Sequence, residues 1–206
     1  LELDRRVLPI LREQFAQDAH VEILEQDALK FPYDTLSGSW KVVANLPYYI
    51  STPLIQRLLE FRDRFSSLTI MVQKEVAERI IAPPGGKEYG YLSVLVQFYT
   101  LPRISFAVPA GAFTPKPKVD SAVLMLEVRT QTAVSVANEG FFFHVVKAAF
   151  SQRRKTLRNS LAQLGTGEEK LRKAEQETGI LLTRRAETLS LAEFGALARH
   201  LRGENP

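Results

Sequence analysis

Apolar runs of strand length alternate with apolar positions at helical spacing along the first 130 residues. Leu1 to Asp4 is strand-like, and Arg5 to Phe15 carries Val7, Ile10 and Leu11 at helical spacing. Val21 to Leu24 reads as a short strand ending in Glu25-Gln26-Asp27, and Lys41 to Leu46 as the next, a buried one. A helix follows from Pro53 to about Arg62, with Thr52 as its N-cap and Pro53 as its first residue. Leu68 to Val72 is a further strand leading into a helix over Gln73 to Ile81. Pro83-Pro84-Gly85-Gly86 is a loop, and Tyr91 to Tyr99 is helical. Ser105 to Val108 and Ala122 to Val128 are strands with no helix between them, which predicts a closing antiparallel hairpin.

Strands alternating with helices define an α/β fold with a largely parallel sheet over residues 1–130. Thr130 to Asn138 turns to Thr, Gln, Ser and Ala, a linker composition. From 138 to 206 every segment reads as helix, which predicts a small all-helical second domain. Thr166-x-x-Glu169 and Ser190-x-x-Glu193 are capping-box patterns, and Gly165 and Gly179 are natural helix stops.

Composition narrows the class. The 206 residues are 45% hydrophobic and 24% charged, as in an ordinary globular protein, and no apolar run approaches a membrane span. Cysteine is absent, which excludes disulfides and thiolate metal sites and fits a cytoplasmic protein. A net charge of +4 suggests a polyanionic partner. His20, His144 and His200 lie far apart and lack ligand spacing, so no metal site is expected.

Acids at the carboxyl ends of parallel strands are where α/β sheets bind nucleotides. Glu2 ends the first strand, where a carboxylate can accept both hydroxyls of a ribose, and Asp27 ends the next, placed to accept from an adenine amino group. Each alone reads equally well as a solvated loop acid. Asn45-Leu46-Pro47-Tyr48 follows an apolar run and precedes a helix start. An amide, a stiffened turn and an aromatic ring at a strand tip form either a receptacle for a flat, amino-bearing group or an ordinary strand-to-helix turn with a surface tyrosine. The exocyclic nitrogen of adenine is a poor nucleophile because its lone pair is delocalised into the ring. Acceptors on both N–H bonds, the Asn45 side-chain oxygen and the Leu46 carbonyl, favour a pyramidal nitrogen with an available lone pair. Tyr48 offers a stacking face.

Phe113-Thr114-Pro115-Lys116-Pro117-Lys118-Val119-Asp120-Ser121 is a second dense stretch. Phe113 can face Tyr48 across an extruded base while Lys116 and Lys118 approach its phosphates, or it can sit in the core of a strand crossover. The third runs from Phe150 to Leu161. Read as one helix, Phe143, Val146, Phe150, Leu157 and Leu161 form a stripe beside Lys147, Arg153, Arg154, Lys155 and Arg158. No acid falls between Lys147 and Arg158, so this face is either solvated or neutralises RNA phosphates.

In order and spacing these segments resemble the small-subunit ribosomal RNA adenine N6,N6-dimethyltransferase family. The likeness covers Glu2-Leu3-Asp4-Arg5, Gln26-Asp27-Ala28, Asn45 to Tyr48 with Ile50 to Leu54, Gln73 to Val76, Tyr89-Gly90 with Leu92 to Val94, Phe113 to Val123, and Phe150 to Leu161. It implies a Rossmann-like methyltransferase domain followed by a helical rRNA-binding domain. The implied reaction moves methyl groups from S-adenosylmethionine (SAM) to N6 of two adjacent adenines near the 3′ end of small-subunit rRNA. By the same resemblance Glu2 holds the SAM ribose and Asp27 its adenine, with Ala28 and Asn45 beside the cofactor. Asn45 to Tyr48 and Phe113 hold the target base, and the basic segment binds rRNA in a 30S-type subunit, with the protein acting as a monomer. Tyr49 stands where many members have asparagine. The glycine-rich turn that cradles the methionine part of SAM is expected before Glu2, so the chain reads as lacking its N-terminal segment. Rival readings are a non-catalytic small-subunit assembly factor, a large-subunit rRNA adenine methyltransferase and, more remotely, a DNA adenine methyltransferase.

Overall fold

The computed structural model describes residues 1–203. Four strands form one mixed sheet in the order β1-β2-β4-β3: β1 (Trp40–Asn45), β2 (Phe65–Gln73), β3 (Thr100–Val108) and β4 (Ser121–Val128). β1 and β2 are parallel, with Asn45 opposite Met71. β4 runs antiparallel to both β2 and β3, so the expected closing hairpin is present. The hairpin needs no helix because an antiparallel partner can return directly, whereas β1 and β2 are joined by a crossover helix.

That crossover helix is α2 (Ser51–Glu60). Leu54, Ile55, Leu58 and Leu59 occupy one helical face and are all buried. The expected start at Thr52-Pro53 is corrected. The helix begins at Ser51, whose hydroxyl donates to the Tyr48 carbonyl at 3.1 Å, and Pro53 still falls within the first turn. The first turn tolerates proline because its N–H groups have no intrahelical partner. α3 (Lys74–Ile81) and α4 (Tyr91–Tyr99) follow as predicted, and Ser93 binds both the Gly90 N–H and the Arg79 carbonyl.

Two strand expectations are corrected. Leu1 to Asp4 and Val21 to Leu24 do not form full strands; a single parallel bridge pairs Glu2 with Glu25. Glu2 N–H donates to the Leu24 carbonyl and Gln26 N–H to the Glu2 carbonyl, too few bonds to fix longer strands. Between them lies α1 (Leu8–Gln14), where only Leu8 is buried. β1 is also not the buried strand expected. Among the described residues it pairs only with β2, and Val43 is 82% exposed.

The helical half comprises α5 (Glu139–Phe150), α6 (Leu157–Leu161), α7 (Glu168–Thr178) and α8 (Leu191–Arg202). Asn138 caps α5 by accepting the Phe141 N–H at 2.7 Å. The Ser190–Glu193 capping box forms at α8, but Thr166 caps nothing, because α7 starts after Gly167 instead. Gly179 stops α7 at φ 69°, a left-handed conformation that a Cβ disfavours.

One apolar core runs through both halves. Phe98 of α4 stacks on Phe142 of α5 at 4.7 Å between centroids, and Phe143 meets Phe98 edge-on at 5.1 Å. Such pairs add about 0.5–1.5 kcal/mol each beyond the burial of their area. Arg62 lies over the Tyr99 ring at 4.2 Å, and both groups donate to the Glu139 carboxylate. Desolvation first, then the hydrogen bond to Glu139, raises the Tyr99 phenol above its ordinary pKa, so it stays a donor. This cluster fastens the start of α5 to the sheet half.

Candidate functional site

The parallel pair β1–β2 delivers Asn45 to the carboxyl end of the sheet. Asn45 is exposed, and its side-chain amide has no partner among the described residues. Leu46 turns inward; it is 2% exposed, and its N–H donates to the Met71 carbonyl at 3.1 Å, continuing the sheet by one bond. Pro47 begins the short 3-10 turn Tyr48–Ile50, with the Ile50 N–H on the Pro47 carbonyl at 3.0 Å. The chain is thus pinned at Leu46 and again at Ser51, which holds Asn45 to Tyr48 as a rigid tip.

Tyr48 is fixed from across the sheet. Its hydroxyl lies 2.7 Å from Ser121 Oγ, and Ser121, the first residue of β4, is wholly buried. The two densest motifs of the sequence, 45–48 and 113–121, are therefore joined by a hydrogen bond spanning 73 positions. Ser121 was part of the second motif, yet its type and spacing carried no sign of this contact.

The segment between β3 and β4 is closed on itself. The Ala110 N–H donates to Asp120 Oδ1 and the Lys74 N–H to the Asp120 carbonyl, both at 2.9 Å. Phe113, half-buried, follows a short 3-10 turn at Ala110–Ala112, and the Lys116 and Lys118 side chains point into solvent. Gln73 lies opposite Ser121 and β2 continues straight into α3, so this loop stands at the same end of the sheet as Asn45.

Glu2 and Asp27 sit on neighbouring segments at the Glu2–Glu25 bridge. One Glu2 oxygen accepts the N–H groups of Leu3 and Asp4, both at 2.7 Å. One Asp27 oxygen accepts the Leu29 N–H at 2.9 Å, while the Ala28 carbonyl accepts from the Tyr33 hydroxyl. Each carboxylate is oriented by its own backbone through one oxygen, and its other oxygen accepts no hydrogen bond among the described residues. These free oxygens are acceptors, which suits the hydroxyls of a ribose diol and the N–H bonds of an amino group. Among the described residues no hydrogen bond joins this pair to Asn45 or Tyr48.

The basic run is not one helix, and that expectation is corrected. α5 stops at Phe150 because the Ser151 hydroxyl takes the Ala148 carbonyl at 2.7 Å, and residues 151–156 form a turn. α6 restarts with its first free N–H groups, Leu157 and Arg158, bound to the Arg184 and Leu182 carbonyls. Leu157 and Leu161 are buried, so the apolar stripe survives, broken by the turn. Arg153, Arg154 and Lys155 stand exposed on that turn, and Lys147 is exposed on α5. Arg158 differs. Its guanidinium is shared by Glu168 and by Glu175, the latter at 2.5 Å, so acids distant in sequence from the run neutralise it.

His20 and His144 are exposed, and His200 faces Glu177 at 3.3 Å. Among the described residues no group of three or more potential metal-binding side chains occurs, and no helix is long and apolar enough to cross a membrane.

The mixed sheet has the Rossmann-like fold of rRNA methyltransferases. A solved dimethyladenosine transferase from Plasmodium falciparum superposes with a TM-score of 0.75 at 25% identity, over 95% of this chain and 78% of that one. The 23S rRNA methyltransferase ErmE shares the fold with a TM-score of 0.71 at 21% identity, over 98% of this chain and 80% of its own. The chain belongs to the ribosomal RNA adenine dimethylase family, whose pattern it matches over residues 1–202. It is 46% identical to ribosomal RNA small subunit methyltransferase A of Moorella thermoacetica, over 98% of this chain and 74% of that protein. The protein of the same name in Clostridium perfringens is 48% identical over 96% of this chain and 70% of its own length.

Proposed function

We infer that this chain transfers methyl groups from SAM to N6 of two adjacent adenosines near the 3′ end of small-subunit rRNA, in the cytoplasm during ribosome assembly. The observation carrying this reading is the Asn45–Tyr48 tip, with a partnerless amide at a strand end and a ring anchored on Ser121. The strong likeness to small-subunit methyltransferases supports the choice of subunit.

SAM supplies an electrophilic methyl group on a sulfonium. Glu2 would hold the ribose of the cofactor and Asp27 its adenine, with Ala28 and Asn45 alongside. The Asn45 oxygen and the Leu46 carbonyl accept the two N–H bonds of the target N6. This removes the lone pair from conjugation and aims it for in-line attack. As the N–C bond formed, the S–CH3 bond of SAM would break and leave the neutral thioether S-adenosylhomocysteine, and the extra proton on nitrogen would pass to solvent; Asn45 would act by position and polarity, a role that needs neither a strong base nor a metal. Pro47 fixes the turn, and Tyr48 and Phe113 flank the extruded base. Lys116 and Lys118 meet the neighbouring phosphates.

The unit 1–130 carries the chemistry, and 138–206 binds rRNA through Lys147, Arg153, Arg154 and Lys155. Arg158, paired with two glutamates, ties α6 to α7 in the free protein, so the phosphate-binding reading rests on the other four. The protein acts as a monomer on a 30S-type subunit. Calorimetry with SAM tests the catalytic reading directly: enthalpic binding abolished by Glu2→Ala and Asp27→Ala is expected. No SAM binding together with tight subunit binding favours the rival reading of a non-catalytic assembly factor, which the exposed basic turn alone would also serve.

A further inference from the structure

A cleft of about 230 Å³ opens where the Pro83–Gly90 loop, the turn after α5 and the Ala186–Glu187 segment meet. It lies outside the Asn45–Tyr48 site. Its apolar wall includes Tyr89 and Phe150, whose rings meet edge-on with centroids 6.0 Å apart. Its lining carries three cations, Lys87, Arg153 and Arg154, against one acid, Glu187. Tyr89 is 3% exposed, and its hydroxyl is shut off from solvent without any hydrogen-bond partner. Burial holds that phenol above its ordinary pKa, with the Glu193 charge adding to the effect, so it is a protonated donor. A buried donor left unpaired costs a fold its desolvation, and a bound acceptor would relieve that cost.

Two further details point to a ligand. The Gly85 N–H donates to the Glu187 carbonyl at 2.7 Å, so the loop is anchored across the cleft. Arg153 donates to the Lys87 carbonyl at 3.1 Å, a bond from a full cation to a neutral acceptor. A phosphate competes well for that guanidinium, because charge-assisted bonds are about twice as strong as neutral ones. Arg154 has no ion-pair partner among the described residues.

We propose that this cleft takes one unpaired nucleotide of the rRNA, its base against Tyr89 and Phe150 and its phosphate on Arg153, Arg154 and Lys87. Arg153 exchanges the Lys87 carbonyl for the phosphate, and the Tyr89 hydroxyl donates to a ring nitrogen or carbonyl of the base. The basic turn thereby reads a single-stranded position as well as backbone charge, which is how RNA is recognised in sequence-specific fashion. The inference rests on the rRNA-binding reading above.

The test is chemical footprinting of small subunits lacking the 3′-end methyl groups, with the wild-type protein and Tyr89→Phe. Phenylalanine keeps the ring and removes only the partnerless hydroxyl, so thermal stability should be unchanged or higher. The wild-type protein should shield the base edge of one unpaired nucleotide, and the variant should lose that protection alone and bind about fivefold more weakly. Identical footprints and affinities for both proteins overturn the cleft proposal and leave the rRNA reading standing. A lowered melting temperature for Tyr89→Phe also overturns it, since the hydroxyl would then have an internal role. Absence of any wild-type footprint on the subunit overturns the rRNA reading, and this one with it.

Discussion

Asn45 is exposed at the end of β1 with a free amide, between a chain pinned at Leu46 and a ring pinned at Ser121. Its side chain is therefore available to a ligand and contributes little to the fold. Asn45→Ala should lower methyl transfer by at least about 100-fold, the scale of losing one preorganised polar partner, with subunit affinity and melting temperature unchanged. Single-turnover methyl incorporation measures this, and wild-type turnover would remove Asn45 from the site. Ser121→Ala frees the Tyr48 hydroxyl. Because the base face then wanders while the RNA contacts remain, kcat should fall about tenfold with KM little altered, and stability should drop by about 1 kcal/mol. Steady-state kinetics beside a thermal melt separates the two effects. That Asn45 ends a strand was readable from the sequence, because an apolar run precedes it and a helix start follows closely. The Tyr48–Ser121 bond was not, because it depends on the register of β2 against β4, which no local pattern carries.

The helices of the second half carry ion pairs and caps beside their apolar burial. Glu193 closes the capping box of α8 and also pairs with Arg184. Burial opposes its ionisation, but hydrogen bonds from Arg184 and Ser190 outweigh that cost and hold the carboxyl below its ordinary value of 4.5. A depressed native pKa stabilises the fold above the unfolded value and loses that contribution as pH falls through the native one. α8 should therefore loosen as pH drops below about 4.5, and Glu193→Gln should flatten that part of the stability profile; hydrogen exchange of α8 amides follows it. At the α5 start, Glu139→Gln weakens the bonds from Arg62 and Tyr99 and should cost about 1–2 kcal/mol in a denaturant melt. Elements were largely legible where periodicity was long: α4 has the predicted bounds, and α3 starts one residue late. The turn at 151–156 escaped because the apolar stripe keeps helical spacing across it. A serine capture of a carbonyl and the 182–184 segment, both invisible to periodicity, decide the break. Arg158 misled for a related reason, since its acids arrive from α7.

Across the molecule, a continuous core joins a sheet bearing the candidate methyl-transfer tip to helices bearing a basic turn. The two parts should fail separately. Replacing Arg154 and Lys155 by glutamine should weaken binding to small subunits and reduce the salt slope by roughly 0.7–0.9 per lost phosphate contact, leaving SAM affinity intact. Affinity measured from low to physiological salt checks this, and an unaltered slope would count against the basic turn as the rRNA contact. The central claim is that the Asn45–Tyr48 tip presents small-subunit rRNA adenosines for methylation. It is tested most directly by incubating the protein and isotope-labelled SAM with small subunits that lack the 3′-end methyl groups, then counting and mapping the label by nuclease digestion and mass spectrometry. Two methyl groups are expected on N6 of each of two adjacent adenosines, arriving at least about 100-fold more slowly with Asn45→Ala. Label on another base, on large-subunit rRNA, or undiminished in Asn45→Ala would contradict it.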